Sequence, residues 1–281
     1  MGLTAQIEPT RACNLHCTIC MRPYLDRPRD NFLSLEHFQK ICDSVASLHM
    51  YRYIGLHGWG EPLLNPRIFD MVSYAEAIGL ETNLTTNGTL VGGRVAEIID
   101  SGLRQIAFGV YDQKLFNNIV PAIKELIEER ERQSRKTPRI YLDLTIYQRS
   151  LHHISDSIEL AGDIGLDAVI VHRLFNAWRI EPAVKYITPD EEVRLFSEIR
   201  EVAGSSGLPV YLPPRHSYPC RVVRYSIFIA VDGSVTPCCF LPEYCLGNVL
   251  ETDLADILAT ECHRRFVAKM AVGTVCGRCA W

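Results

Sequence analysis

The chain has 281 residues and a mass of 31.8 kDa, enough for one barrel-sized domain or a domain with a small appendix. With 47% hydrophobic and 22% charged residues and a formal charge of −4, it has an ordinary soluble composition and no global attraction to nucleic acid or anionic membranes. No apolar run is long enough to cross a bilayer, and MGLTAQIEPT lacks the basic flank and apolar core of a signal peptide, so the expected location is the cytoplasm.

In chain order, LTAQIEP (3–9) reads as a first strand, and a helix over 35–49 follows the cap-like Ser34. YRYIGLHG (51–58) is a second strand, followed by a helix over 66–79. LETNLTT (80–86) is a third strand with a helix over 93–102, and RQIAFGV (104–110) a fourth with a long charged helix over 116–135. RIYLDLTIY (139–147) is a fifth, with a helix near 153–164. DAVIVHRLF (167–175) is a sixth, with a helix from Pro189 to about residue 204. Each strand-to-strand step is long enough for a helical crossover, so the strands pair in parallel. Six such units predict an α/β fold, either a barrel or a doubly wound sheet. The pattern breaks in the proline-rich stretch 207–219, where a boundary separates residues 1–212 from 213–281. Beyond it, the alternation around Asp232-Gly233 predicts a hairpin, and 253–271 reads as one amphipathic helix.

The 11 cysteines are placed unevenly: four precede residue 43, none lies between there and residue 219, and seven follow. A reducing compartment disfavours structural disulfides, so clustering at both ends suggests two metal centres, or one built from both ends. Cys13, Cys17 and Cys20 form C-x-x-x-C-x-x-C directly after the first strand. Iron–sulfur and zinc sites usually take four protein ligands, so three leave a coordination position open, an arrangement suited to catalysis. A zinc site completed by His16 or a distant cysteine has the same spacing. HGWGEPLLNP (57–66) follows the second strand and LTTNGTL (84–90) the third, which sets all three motifs on the C-terminal rim of a parallel β/α barrel.

Together and in this order the motifs resemble the radical S-adenosylmethionine (radical SAM) superfamily, across essentially the whole chain. The resemblance implies a partial (β/α)6 TIM-like barrel in which Cys13, Cys17 and Cys20 ligate a [4Fe–4S] cluster whose open iron binds SAM. Trp59, Gly60 and Glu61 stand where the family has G-G-E and would hold the SAM ammonium, with Thr86 and Asn87 near its methionine or ribose end. Several positions depart from the pattern. Ile19 stands where many members carry an aromatic residue, Trp59 replaces a glycine, and RQIAFGV lacks a serine often seen there. Arg149 and Arg173, near the ends of strands five and six, are candidates for the SAM carboxylate, the substrate or ordinary surface pairing.

Cys220, twelve residues, Gly233, four residues and Cys238 resemble the start of a SPASM domain. Only Cys276 and Cys279 follow as C-x-x-C, as in the truncated Twitch version. That resemblance implies a small C-terminal iron–sulfur domain in which Cys220, Cys238, Cys276 and Cys279 hold a second [4Fe–4S] cluster. A zinc knuckle with the same ligands is the alternative. Cys42 and Cys262 read as core residues, and Cys239 and Cys245 as packing or as thiols reaching the cavity, Cys245 being favoured. His57 and His172 lie near strand ends as candidates for proton transfer. Trp178, Arg179 and Tyr186 belong to the irregular stretch after strand six.

The implied chemistry is reductive SAM cleavage and hydrogen-atom abstraction, supplied with electrons by a flavodoxin- or ferredoxin-type donor. The reading favours a small polar substrate, a sugar or aminocyclitol, and epimerisation with Cys245 or Cys239 as hydrogen donor. The alternatives are dehydrogenation with the second cluster as electron acceptor, a peptide-modifying or cofactor maturase, and a non-catalytic metal protein. No nucleic-acid or membrane partner is expected.

Overall fold

The computed structural model describes residues 2–25, 31–175, 184–215, 220–273 and 275–279. Six strands lie side by side in chain order, all parallel: β1 (Leu3–Ile7), β2 (Tyr51–Leu56), β3 (Glu81–Thr86), β4 (Gln105–Val110), β5 (Arg139–Ile146) and β6 (Ala168–Arg173). The helices that follow them are α1 (Leu35–Ser47), α2 (Ile68–Ala77), α3 (Val95–Asp100), α4 (Gln113–Arg132), α5 (Ile154–Asp163) and α6 (Pro189–Ser206). The starts of α1, α4 and α6 are fixed by polar caps that satisfy otherwise orphaned amides. Ser34 accepts from the His37 N–H, Asp112 from the Leu115 N–H, and Thr188 and Glu191 form a reciprocal capping box.

Strand alternation sorts the side chains onto two faces. Leu84, Phe108, Leu142 and Leu144 point toward the helices and join one continuous apolar core. The opposite face is polar or small: Gln6, Thr85, Gly109, Asp143 and Thr145 line an inner cavity. Such a lumen is open space for ligands rather than a packed barrel centre.

The C-terminal segment extends the same sheet at both edges. β7 (Val210–Tyr211) adds to β6 in parallel, and after α7 (Arg221–Tyr225) comes β8 (Ser226–Ile229), which pairs in parallel with the free edge of β1. β9 (Ser234–Thr236) and β10 (Gly247–Asn248) continue the same sheet antiparallel. Among the described residues the sheet thus runs β10-β9-β8-β1-β2-β3-β4-β5-β6-β7, ten strands ending on β10 and β7, which do not pair to close a barrel. The boundary read at residue 213 falls between β7 and α7, and strands from both sides of it belong to one sheet. An edge strand exposes unpaired backbone groups, and the apolar β8 covers those of β1. The expected hairpin is present between β8 and β9; Gly233, at φ +83°, supplies the left-handed turn residue.

The single helix expected over 253–271 is two, α8 (Leu254–Ala259) and α9 (Glu261–Lys269). Thr260 breaks it by adopting an extended conformation; its hydroxyl donates to the Ile257 carbonyl and accepts from the His263 N–H that opens the next helix. Cys42 is in the core as expected, but Cys262 is exposed, its thiol 3.9 Å from the Tyr244 hydroxyl. Tyr186 is exposed, and Trp178 and Arg179 lie outside the described residues. Among the described residues no helix is long and apolar enough to cross a membrane.

Candidate functional site

The site is assembled from the loops at the C-terminal ends of the first three strands. Glu8, at the end of β1, is fully buried, and its carboxylate accepts from the Trp59 N–H (3.1 Å), the Arg11 Nε (3.0 Å) and the Val231 N–H (3.4 Å). One side chain thereby fastens the cysteine loop, the 57–62 loop and the C-terminal hairpin together. Burial pushes the Glu8 carboxyl up, opposed by the Arg11 charge and by these amide donors. Arg11 also reaches Asp232, 3.8 Å away.

The 57–62 loop lies directly against the cysteine loop. The Glu61 N–H donates to the Ala12 carbonyl at 2.7 Å, and a Cβ on Gly60 would stand 2.2 Å from the Thr10 carbonyl oxygen. Only glycine permits that approach. The Glu61 carboxylate is almost wholly buried and accepts from the Leu63 N–H (3.0 Å), the Thr86 hydroxyl (2.7 Å) and the Asn87 N–H (2.8 Å). Burial raises its pKa, and these donors lower it. Glu61 thus clamps β3 to the second loop. Asn87 in turn donates its side-chain amide to Asn14 at 2.9 Å, which ties β3 to the cysteine loop.

Cys13, Cys17 and Cys20 all line one cavity of about 290 Å3. Burial, then the proximity of Cys20 and Cys13, pushes the Cys17 thiol up to about 11. The Leu15 N–H lies 3.5 Å from the Cys13 Sγ and the Arg22 N–H 3.4 Å from the Cys20 Sγ, donors of the kind that stabilise metal-bound thiolates. Three sulfurs that repel one another as thiolates, each free to take its own iron, fit an iron–sulfur cluster. Among the described residues no three His, Cys, Asp or Glu side chains are grouped as ligands of a single metal ion.

Cys238 and Cys239, with Phe240, line the same cavity. The Cys238 thiol is pushed up by its hydrogen bond with Cys239 and by burial; Cys276 is raised by burial and by the charges of Cys238 and Cys220. Cys279 packs on the Met21–Phe175 cluster beside Phe240 and Trp59. The four C-terminal cysteines thus come from three short segments that converge behind Cys238, and this donor set also fits an iron–sulfur cluster.

The cavity gathers most of the expected residues: Trp59, Gly60, Glu61, Thr86, Asn87, His57, His172 and Arg173 all line it. Two of the expected residues stand off this cavity. Arg149 is exposed and off the cavity, because the chain turns back immediately after β5 with the Ser150 N–H bonded to the Tyr147 carbonyl. Cys245 is exposed, with its thiol 3.3 Å from the Gly247 carbonyl, and it too is off the cavity; Cys239 is the extra thiol that lines it. Arg173 is held by both Glu192 oxygens, at 2.6 and 2.9 Å.

Sequence reasoning missed Gln6, Tyr111 and Asp143 on the cavity wall. Asp143 stands 3.5 Å from His172 Nε2, and burial raises its carboxyl while His172 lowers it. His57 is pushed down to about 4 by burial and by His172. The alternation in YLDLTI carried the signal for Asp143, since Leu142 and Leu144 on either side face the helices.

Residues 7–112 match the Radical SAM superfamily, and residues 220–280 match the SPASM family, an iron-sulfur cluster-binding domain. The chain is 25% identical, over 98% of its length and 86% of the relative's, to a tungsten-containing aldehyde ferredoxin oxidoreductase cofactor-modifying protein of Pyrococcus furiosus. It is 26% identical to a PqqA peptide cyclase of Bradyrhizobium diazoefficiens, over 84% of this chain and 66% of that one. In fold it resembles SuiB of Streptococcus suis, solved bound to S-adenosylmethionine, with TM-score 0.76 and 18% identity over 93% of this chain and 66% of that one.

Proposed function

We propose, for a chain that belongs to the radical SAM superfamily and carries a SPASM/Twitch iron–sulfur cluster-binding domain, that it matures a peptide or a cofactor precursor by hydrogen-atom abstraction. Its cofactors are SAM and [4Fe–4S] clusters. When bound and reduced, they supply a 5′-deoxyadenosyl radical. In this reading Cys13, Cys17 and Cys20 hold the cluster that meets SAM, and Cys220, Cys238, Cys276 and Cys279 hold a second. The observation that carries it is the convergence of the three-cysteine loop, Trp59–Glu61 and Thr86–Asn87 on one cavity that Cys238 also lines.

The chain's own residues would divide the work. The backbone of Trp59 and Gly60, with the remaining lone pair of Glu61, would orient the SAM ammonium by charge-assisted hydrogen bonds. Glu61 also holds the Thr86 hydroxyl and the Asn87 amide in place. Trp59, Phe175 and Phe240 exclude water from the side of the cavity they line. A flavodoxin- or ferredoxin-type donor would supply the electrons.

Maturation is preferred to epimerisation of a small sugar for two reasons. One relative matched over nearly the whole chain is a cofactor-modifying protein, and another relative is a peptide cyclase. The favoured hydrogen donor, Cys245, is off the cavity, whereas Cys239 lines it. Anaerobic reconstitution tests the reading. We expect about eight irons per chain, four for each cubane cluster, and 5′-deoxyadenosine on reduction in the presence of SAM. Two zincs per chain and no SAM cleavage would overturn it.

A further inference from the structure

Beyond the cysteine loop and the 60–61 and 86–87 segments, the cavity has two further, chemically distinct parts. One is aromatic: Trp59 and Phe240 pack edge to face with centroids 5.6 Å apart, and Phe175 and Phe240 do the same at 4.9 Å. The Trp59 indole N–H is already given to the Cys239 carbonyl at 3.3 Å, so its ring serves as an apolar surface. The other part is the Asp143–His172 pair with His57 beside it, on inward positions of β5 and β6 and just past β2. Room for it comes from Gly55, where a Cβ would stand 3.0 Å from His57 Nε2 and 3.4 Å from Asn83 Oδ1.

The charges decide what the polar part can accept. Arg173 is the only arginine or lysine lining the cavity among the described residues, and Glu192 neutralises it with both oxygens. A phosphate or carboxylate would therefore meet a carboxylate, not a cation. Asp143 and its histidine offer acceptors to a hydroxyl or N–H donor, with the imidazole oriented by the carboxylate. A flat ring that also carries one such donor satisfies both parts at once.

We infer that this cavity is a subsite for a phenol-bearing group, a tyrosine-type side chain, with its ring against Trp59, Phe175 and Phe240 and its hydroxyl at Asp143 and His172. The inference rests on the maturation reading above and narrows its substrate class. A site built to hydrogen-bond a hydroxyl discriminates strongly against the same ring without it, whereas an apolar wall alone does not.

Calorimetric titration of the reconstituted, SAM-loaded holoenzyme tests it with three probes: N-acetyl-tyrosinamide, N-acetyl-phenylalaninamide and N-acetyl-lysinamide. We expect the tyrosine probe to bind at least about tenfold more tightly than the phenylalanine probe. Asp143→Asn and His172→Gln should each bring that ratio close to one while the phenylalanine probe keeps its affinity. Phe240→Leu should weaken both ring-bearing probes and leave their ratio standing. Iron content and circular dichroism show which variants have folded, and either polar variant suffices. Equal affinity for tyrosine and phenylalanine, tighter binding of lysine, or no binding of any probe by an enzyme that cleaves SAM would each overturn the inference and leave the radical SAM reading intact. An enzyme without iron and without SAM cleavage would overturn both.

Discussion

The two cysteine sets are built in opposite ways. Cys13, Cys17 and Cys20 lie on one loop of eight consecutive positions, beginning a few residues after a strand that is paired on both sides. Two buried carboxylates, Glu8 and Glu61, hold that region with six hydrogen bonds. The other set is gathered from distant short pieces: the cap of the five-residue α7, the turn after β9, and a 3-10 turn near the C-terminus. Helix α8 anchors this segment to α1 through the Leu254 N–H, which donates to the Ser44 hydroxyl at 3.0 Å. The first site is fixed by the protein before any metal arrives. Under the proposed reading the second would depend on its metal to hold its pieces, since binding energy there would be folding energy.

The difference is sharpest when one ligand is removed from each set. Cys17→Ser should abolish SAM cleavage outright and bring iron from about eight to about four per chain, with little loss of thermal stability. Cys276→Ser should lose the same amount of iron and retain 5′-deoxyadenosine formation in the absence of substrate, while the Tm falls. Iron assay, product analysis and a melting curve on each variant check the contrast. Equal loss of Tm in both would break it.

Glu8→Gln tests the joint between the regions. The substitution sets an amide NH2 against one of two backbone N–H donors and takes the nearer carboxylate from the buried Arg11 charge, leaving Asp232 at 3.8 Å. A broken buried pair costs about 3–5 kcal/mol. We expect a large fall in Tm and poor iron retention at both sites, read by separate electron-paramagnetic-resonance signals. Loss at only one site would show that the hairpin and the cysteine loop are held independently. Glu61→Gln is expected to act on the first region alone. Its carboxylate is replaced by a weaker acceptor with a mismatched amide, which weakens SAM binding by about tenfold, corresponding to about 1.4 kcal/mol. Equilibrium dialysis with labelled SAM measures this.

The same contrast explains what could be read from the sequence. The first region is local, so its strand, loop and motif residues were all legible; Ser34 as a cap and the alternating strands followed from propensity and period. The partner of β8 was not legible, because pairing with β1 is decided by which edge is free at a separation of more than 200 residues. Cys245 and Arg149 carry the right chemistry, but one turn of backbone sends each away from the cavity. Thr260 was hidden because helical period continues across it while its hydroxyl caps a new helix. Asp143 could have been found, since a lone carboxylate in an otherwise apolar strand marks the inward face.

The smallest effect concerns the lumen between the two regions. His57 is neutral in the folded protein down to about pH 4, whereas an unfolded histidine takes its proton near pH 6.5. Below pH 6.5 the unfolded chain therefore binds a proton that the folded chain refuses, and stability is lost as pH falls from about 6.5 toward 4. Asp143 works in the opposite sense, because burial raises its carboxyl and the folded state gains a proton early; His172 faces both groups. Comparing variants isolates His57 from them. The Tm of the holoenzyme should drop between pH 7.5 and 5.5, and His57→Gln should shrink that drop by the equivalent of about 1 kcal/mol. If the variant and the parent fall in parallel, the lumen is wetter than its geometry implies, and the two cysteine regions do not enclose a dry space between them.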